Sequence, residues 1–356
     1  MSYLFSPLTI REVVLRNRIV VSPMCEYSAT DGLPNNWHLV HLGSRAVGGA
    51  GLIITEATAV VPEGRISLGD LGIWNNEQVT AFSNITQFIH AQGAVAGIQL
   101  AHAGRKASTT LPWNGNKRIP ENEGGWKVKA PSALPFSPEY PFPEAMTVEE
   151  IKDTVAAFRV AAERALQAGF KVVELHAAHG YLLHQFLSPL SNIRTDEYGG
   201  SFDNRTRLLR EVTAAVRKVW PAGLPLFVRI SATDWAEGGW TEDDSIRLAA
   251  ILKELGADVI DCSSGGNVLK VKIPVGPLYQ LPFATAIRNA AGIRTGAVGM
   301  ITTAQQAEDI IAKKQADLVF MARQLLRDPY FPLHAARELG DNLTWPVQYQ
   351  RAKPAE

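Results

Sequence analysis

The sequence predicts an α/β fold built as one closed (β/α)8 barrel, with a long insertion after its third strand. Three observations carry this. Eight short runs rich in β-branched and other apolar residues recur along the 356 residues. Stretches with apolar residues three and four apart separate most of them, as buried helix faces do. Most of the eight runs are apolar without alternation, the pattern of parallel strands covered on both faces. A doubly wound sheet normally places G-x-G-x-x-G after its first strand, whereas Gly48-Gly49-Ala50-Gly51 here precedes a strand.

The expected strands span 18–24, 52–57, 95–100, 172–176, 226–230, 259–263, 295–300 and 318–322. Among the helices, the best marked opens at Thr147-Val148-Glu149-Glu150, a capping box in which the Thr hydroxyl and Glu carboxylate each satisfy an orphan backbone donor. Ile151, Val155, Phe158, Ala162 and Ala165 then form one apolar stripe, and Gly169 marks a left-handed helix end. Further helices are expected near 77–92, 204–220, 241–255, 283–291 and 304–313. Residues 109–143, rich in Pro, Gly and aromatics, break the rhythm. A loop that long in a compact domain is usually functional, and its place after the third strand makes it a lid over the barrel mouth. Eight βα units make 1–356 a single domain of the TIM-barrel type, whose usual ~250 residues grow by insertion.

Composition narrows the partners. The 35 Lys and Arg balance 35 Asp and Glu, which argues against nucleic acid, since phosphate binding is driven by excess positive charge. No apolar run approaches the ~18 residues of a membrane span. Met1-Ser2-Tyr3-Leu4-Phe5 lacks the basic start and long apolar stretch of a signal peptide. Two cysteines, Cys25 and Cys262, suit a reducing compartment and are too few for an iron–sulfur cluster. A cytoplasmic enzyme with no membrane partner is the expectation.

Active residues of such barrels sit where the strands end. Those positions hold Ser22-Pro23-Met24-Cys25-Glu26-Tyr27, Glu56-Ala57, Gln99 through Lys106, His176-Ala177-Ala178-His179-Gly180-Tyr181, Arg229, Cys262-Ser263, Gly299-Met300 and Ala322-Arg323. His176 and His179 could give two N–H donors to one oxygen, with the Tyr181 phenol beside them. The same pair could equally bind metal or simply pack. Zinc on a helix prefers histidines four apart, and these are three apart. Gln99, Arg229 and Arg323 end apolar strands; a buried Arg is rare unless paired, so each needs a carboxylate or an anionic ligand. Gly299 and Arg323 fall at the usual phosphate corner of these barrels. Cys25 alone reads as a small buried apolar group, and His38 and His41 as packing or capping residues.

Taken together, Ser22-Pro23-Met24-Cys25 with Tyr27, Gln99-Leu100-Ala101-His102-Ala103-Gly104-Arg105-Lys106, His176-Ala177-Ala178-His179-Gly180-Tyr181, Tyr198-Gly199-Gly200-Ser201, and Arg323 followed by Leu325-Leu326-Arg327-Asp328-Pro329 resemble the Old Yellow Enzyme family. Cys25 and the 99–106 block resemble its thermophilic-like (class III) ene-reductase branch. The resemblance runs from about Leu4 to Arg351. It implies tightly bound, non-covalent FMN touching Ser22, Pro23, Met24, Cys25 and Ala57, with Gln99 and Arg229 at the flavin's pyrimidine edge. Its phosphate would lie against Gly299, Met300, Ala322 and Arg323, with Ser263 a further contact.

It also implies an NADPH dehydrogenase and ene-reductase in which NADPH or NADH reduces the flavin. Hydride then passes to Cβ of an activated alkene such as an α,β-unsaturated ketone or aldehyde. His176 and His179 would hold the carbonyl oxygen and Tyr181 would protonate Cα. Tyr27 and Lys106 would serve the substrate pocket, and Cys25 would modulate the flavin. Arg351, in the 344–356 tail, would reach a neighbouring subunit's site in a homodimer or homotetramer. Ala322 stands where many relatives carry Gly, so its methyl needs a negative φ to leave room for phosphate. The alternatives are a metal-dependent barrel hydrolase using His176 and His179, and a ligand-binding barrel without catalysis.

Overall fold

The apolar runs become eight parallel strands: β1 (Ile19–Val21), β2 (Leu52–Ala59), β3 (Val95–Ala101), β4 (Val172–Ala177), β5 (Leu226–Ser231), β6 (Val259–Ser263), β7 (Arg294–Ala297) and β8 (Leu318–Met321). Each pairs with the next, and β8 pairs with β1 through Val319–Met321 and Ile19–Val21, which closes the barrel. The computed structural model describes residues 2–354. Met1, Ala355 and Glu356, the ends of the expected 1–356 span and of its tail, lie outside the described residues. Three strands stop short of expectation: β1 at Val21 and β7 at Ala297, releasing 22–24 and 298–300 as loops on the barrel rim, and β8 by one residue at Met321.

The helices are α1 (Asn36–Val47), α2 (Asn76–Ala91), α3 (Val148–Gln167), α4 (Leu182–Leu187), α5 (Phe202–Val219), α6 (Glu242–Glu254), α7 (Leu281–Ala291), α8 (Ala304–Ala312), α9 (Arg323–Arg327) and α10 (Phe331–Glu338). The capping box before α3 forms: Glu150 N–H donates to Thr147 Oγ1 at 3.2 Å and Thr147 N–H to Glu150 Oε2 at 2.8 Å. Its buried stripe is Ile151, Phe158, Ala162 and Ala165 with Thr154 and Ala161, while Val155 is only partly covered. Thr154 can lie inward because its hydroxyl donates to Glu150 O. Gly169 has φ +89°, as its helix-ending position requires. Helices α4 and α9 carry too few residues to show a period in sequence. Among the described residues no helix is long and apolar enough to cross a membrane.

An N-terminal hairpin, Leu8–Ile10 against Val13–Leu15, is not evident from the apolar pattern. It plugs the barrel. Ile10, Val13 and Leu15 pack against Val20, Leu52, Val172, Phe227 and Phe320, the inward face of the strands. The alternate strand residues, among them Ile53, Ile98, Leu175 and Val228, face outward into a larger shell with Phe158, Leu208 and Leu252 of the helices. Alternation is therefore real but invisible in hydropathy, because both faces are apolar.

The 109–143 insertion folds over the rim and contributes Lys129–Ala130 to a short parallel pair with Glu144–Ala145 just beyond it. Trp126 Nε1 donates to Glu63 O at 2.8 Å, and the Arg65 guanidinium lies between the Trp74 and Trp126 rings, 5.3 Å from each centroid. Such cation–π contacts are worth ~0.5–1 kcal/mol each where exposed. They tie the insertion to the loop after β2.

Because Ile10 is buried in the floor of the barrel, Ile10→Ala should cost about 2–5 kcal/mol, the range for such cavity-forming changes. Urea denaturation measures this; a loss near zero would mean the hairpin is not part of the core.

Candidate active site

The loop after β4 brings the expected acid–base groups together. The His176 and His179 ring centroids are 5.2 Å apart, and those of His176 and Tyr181 are 4.9 Å apart, both edge-to-face. His179 has φ +59° and Gly180 φ +71°. A left-handed non-glycine residue costs roughly 1–2 kcal/mol, so the turn must be held. His179 N–H donates to Ser231 Oγ at 2.9 Å, its carbonyl accepts from Lys106 Nζ at 2.8 Å, and Gly180 O accepts from Gln185 Nε2 at 2.7 Å.

Burial, reinforced by the nearby Arg229 charge, pushes both imidazoles well below their usual range. Each is neutral at pH 7 and carries one N–H. His179 Nε2 lies 2.6 Å from Ser263 Oγ, so Ser263 serves the imidazole directly, a role its expected place near the flavin did not include. Burial pushes the Tyr181 phenol well above its usual range, with Cys25 and Tyr27 adding to the effect. It is a protonated donor at any working pH.

Gln99 and Arg229 lie two residues before the ends of β3 and β5 rather than at them, and each already has a protein partner. Gln99 Nε2 donates to Glu174 Oε1 at 2.8 Å, and Arg229 Nε lies 3.0 Å from Asp261 Oδ2. Glu174 and Asp261 are fully buried and went unnoticed in the sequence, although Glu and Asp inside the apolar runs Val172–Ala177 and Val259–Ser263 were the available signal. Burial, then the neighbouring Asp261, pushes Glu174 up to about 8; Arg229 and Gln99 act the other way. The four groups form a buried polar floor beneath the rim.

Cys25, Tyr27 and Tyr181 form one wall with Ile66, Ala103, Trp126 and Val128. Burial, then Glu56 and Asp70, raises the Cys25 thiol well above its usual range. It is a neutral thiol here, unlike the thiolate of a nucleophilic cysteine. Trp113 of the insertion meets Tyr27 edge-on at 6.0 Å, so the lid supplies part of this wall. Lys106 Nζ also donates to Gly266 O and sits 4.1 Å over the Phe136 ring. Burial, helped by Arg105, lowers its amine to about 7. His38 caps α1, accepting at Nδ1 from Asn35 N–H, and meets the buried Glu56 at 3.3 Å.

On the opposite side of the rim, a cavity of about 270 Å³ is lined by Ser263, Gly299, Met300, Ala322 and Arg323. Met300 has φ +52°, and a Cβ on Gly299 would sit 3.1 Å from Gln280 Nε2. Ala322 has φ −105°, which removes the objection to its methyl. Ser22 Oγ, His176 Nδ1 and Glu174 Oε2 are buried at this end of the barrel without a protein partner. An unmet buried polar atom costs ~1–3 kcal/mol. The basic, glycine-bearing corner suits the phosphate of a flavin mononucleotide, and the unmet polar atoms at the same end of the barrel suit the polar edges of its ring. Pro23 and Met24 follow β1, and Ala57 lies in β2, where it lines a small space beside Tyr181. Arg351 is exposed in the turn Val347–Ala352, whose Tyr349 ring packs 6.0 Å from Tyr330.

A parallel eight-stranded barrel with two neutral imidazoles and a phenol on one side, and a basic, glycine-bearing cavity on the other, suits a flavin-dependent oxidoreductase. Residues 3–342 match the NADH:flavin oxidoreductase / NADH oxidase family. The chain belongs to that family, within which the Old Yellow Enzyme resemblance falls; its flavin is FMN and its reductant NAD(P)H.

The NADPH dehydrogenase of Bacillus velezensis is 52% identical over 351 residues, 98% of each chain. Among solved structures, morphinone reductase superposes with TM-score 0.80 at 28% identity, over 97% of this chain and 91% of that one. Its complex with tetrahydroNAD gives 0.79 at 28% identity, over 96% and 92%. A 2-naphthoyl-CoA reductase, in complex with 2-naphthoyl-CoA, gives 0.85 at 27% identity over 95% of this chain, which spans only 52% of that enzyme. A metal-dependent hydrolase finds no support: among the described residues no three His, Cys, Asp or Glu side chains are grouped to hold an ion.

Because Glu174 keeps its proton up to about pH 8 when folded but loses it near its ordinary value when unfolded, it stabilises the fold at low pH and stops doing so as pH rises. Relative to Glu174→Gln, the unmodified protein should therefore lose stability between about pH 5 and pH 8. Parallel urea midpoints across that interval would contradict the buried-acid reading.

Proposed function

We propose that the enzyme is an ene-reductase that reduces activated alkenes, such as α,β-unsaturated ketones and aldehydes, with His176, His179 and Tyr181 as its acid–base machinery. The observation that carries this is the packing of two neutral imidazoles and one protonated phenol at a single strand end, with ring centroids 5.2 and 4.9 Å apart. When bound, FMN would supply the hydride chemistry that links oxidation of NAD(P)H to reduction of the alkene. Ser22, Pro23, Met24, Cys25, Ala57, Gln99 and Arg229 would hold its ring system, and Gly299, Met300, Ala322 and Arg323 its phosphate, with Ser263 a further contact.

His176 and His179 hold the substrate's carbonyl oxygen. Neutral imidazoles bind an oxygen without protonating it, so they stabilise the enolate that develops as Cβ accepts hydride. Each such donor is worth ~3 kcal/mol in the transition state. For His179 the incoming oxygen shares the ring with Ser263 Oγ or takes its place. Tyr181 donates its phenolic proton to Cα. Tyr27 and Lys106 shape the pocket, and the insertion bearing Trp113, Trp126 and Phe136 excludes water above it. The neutral Cys25 thiol tunes the flavin by contact rather than by charge.

This reading places the chain in the thermophilic-like branch, as one domain over 1–356. It takes the enzyme to be a cytoplasmic homodimer or homotetramer, in which Arg351 enters the neighbouring subunit's pocket.

Tyr181→Phe should slow alkene reduction by about 10²–10⁴-fold, the usual contribution of a general acid, while NADPH reduces the enzyme at its normal rate. Stopped-flow of the two half-reactions measures this, and an unchanged oxidative half-reaction would remove Tyr181 from the mechanism. Replacing both His176 and His179 with Ala should weaken binding of phenols, whose phenolate resembles the enolate. Titration followed by the flavin spectrum reads that affinity; an unaltered value would rule out the oxygen-holding role.

A further inference from the structure

The turn that presents His179 and Tyr181 has a support that neither half-reaction uses directly. Gly180 N–H donates to His184 Nδ1 at 2.9 Å. His184 is fully buried on α4, the helix whose N-terminal cap is Tyr181, and no side chain caps that helix. Accepting at Nδ1 leaves the ring proton on Nε2, and Nε2 lies 3.1 Å from Asp234 Oδ1.

Asp234 is also fully buried. Ser188 Oγ donates to its other oxygen at 2.5 Å and Trp240 N–H at 2.9 Å. Burial works to raise this carboxyl, and the hydrogen bonds from Ser188 and Trp240 work to lower it. The Asp234 carboxylate thus faces His184 Nε2 at ion-pair distance and favours the tautomer with its proton on that nitrogen, as carboxylate–imidazole pairs do elsewhere.

The turn cannot settle elsewhere. A Cβ on Gly180 would lie 2.4 Å from Gly266 O, and a Cβ on Gly266 would lie 2.7 Å from His179 Cα. The two loops are thus in backbone contact, and a left-handed pair at 179–180 is kept by the acceptors its N–H groups find. Ser231 supplies one and His184 the other.

We propose that His184, oriented by Asp234, is a positioning residue for alkene reduction. It acts through the Gly180 amide to hold Tyr181 in line with the carbon it protonates. The proposal rests on the proton-donor reading of Tyr181.

Two isosteres separate its two contacts. In His184→Asn the amide oxygen takes the place of Nδ1 and still accepts from Gly180. In His184→Gln the amide nitrogen takes the place of Nε2, still faces Asp234, and leaves Gly180 N–H unmet. The FMN-loaded enzymes are reduced with NADPH and then mixed anaerobically with 2-cyclohexenone in H2O and in D2O. A displacement near 1 Å costs on the order of 10²-fold, so His184→Gln should be slowed roughly 10–100-fold in the oxidative half-reaction, and His184→Asn less than about threefold. The solvent isotope effect on that half-reaction should rise in His184→Gln, because proton delivery becomes limiting.

Normal rate and isotope effect in His184→Gln would overturn the proposal. So would equal slowing of both variants, or slowing without a change in isotope effect. Tyr181→Phe run alongside tells the two failures apart. If it is fast, the proton-donor reading itself falls; if it is slow beside a fast His184→Gln, only the positioning role does. Should His184→Gln not fold, the 15N signals of the His184 ring in the unmodified holoenzyme decide the matter: an unprotonated Nδ1 is expected, and a protonated one overturns the proposal.

Discussion

The pairing of β8 with β1, Phe320 opposite Val20, turns eight strands into a closed ring, and in that ring every strand delivers its C-terminal end to the same rim. Closure also leaves no free sheet edge. It makes neighbours of residues far apart in the chain: Ser22 after β1, Gln99 in β3, His176 in β4, Arg229 in β5 and Ala322 after β8. The hairpin beneath them is part of the same constraint, because a barrel this narrow must be filled from inside by side chains. Ile10, Val13 and Leu15 do that at the floor, which leaves the rim for polar groups.

Putting polar groups there is costly, and the structure shows how the cost is contained. Glu174 and Asp261 face Gln99 and Arg229, and Asp234 is met by Ser188 and Trp240 with His184 3.1 Å away. A buried charge left without such partners is strongly destabilising, whereas a paired one can be tolerated. The floor of Gln99, Glu174, Asp261 and Arg229 is therefore both a structural network and a shaped electrostatic surface. Raising the carboxyls and lowering the imidazoles have one common cause, loss of water. That loss keeps His176 and His179 neutral, and neutral donors are what an enolate-stabilising site needs.

The loops above this floor depend on one another. Lys106 Nζ joins His179 O to Gly266 O, so it stitches the loop after β4 to the loop after β6. Its ring neighbours, Phe136 and Tyr181, come from the insertion and from the loop after β4. Tyr27, His179 and Met300 all adopt left-handed φ at three different strand ends. Strain of this kind persists only where surrounding contacts fix it, and it collects at functional sites. Here the contacts that fix it reach across loops rather than along any one of them.

What the sequence determined by itself is what depends on neighbours a few positions away. The apolar runs gave the strands, Thr147 and Glu150 gave the start of α3, Gly169 gave its end, and the 176–181 and 99–106 blocks were specific enough to point to a family. These features are local, so composition and spacing encode them. What only the tertiary structure decided is pairing between distant residues. Nothing in the chain says that Gln99 meets Glu174, that Arg229 meets Asp261, that Ser263 binds His179 rather than waiting for a ligand, or that His184 turns back to Gly180 with Asp234 behind it. The N-terminal hairpin escaped for the same reason: three-residue strands carry no period, and their burial comes from a barrel built by the rest of the chain. A carboxylate in an apolar run is only a residue type until closure removes the water around it and chooses its partner.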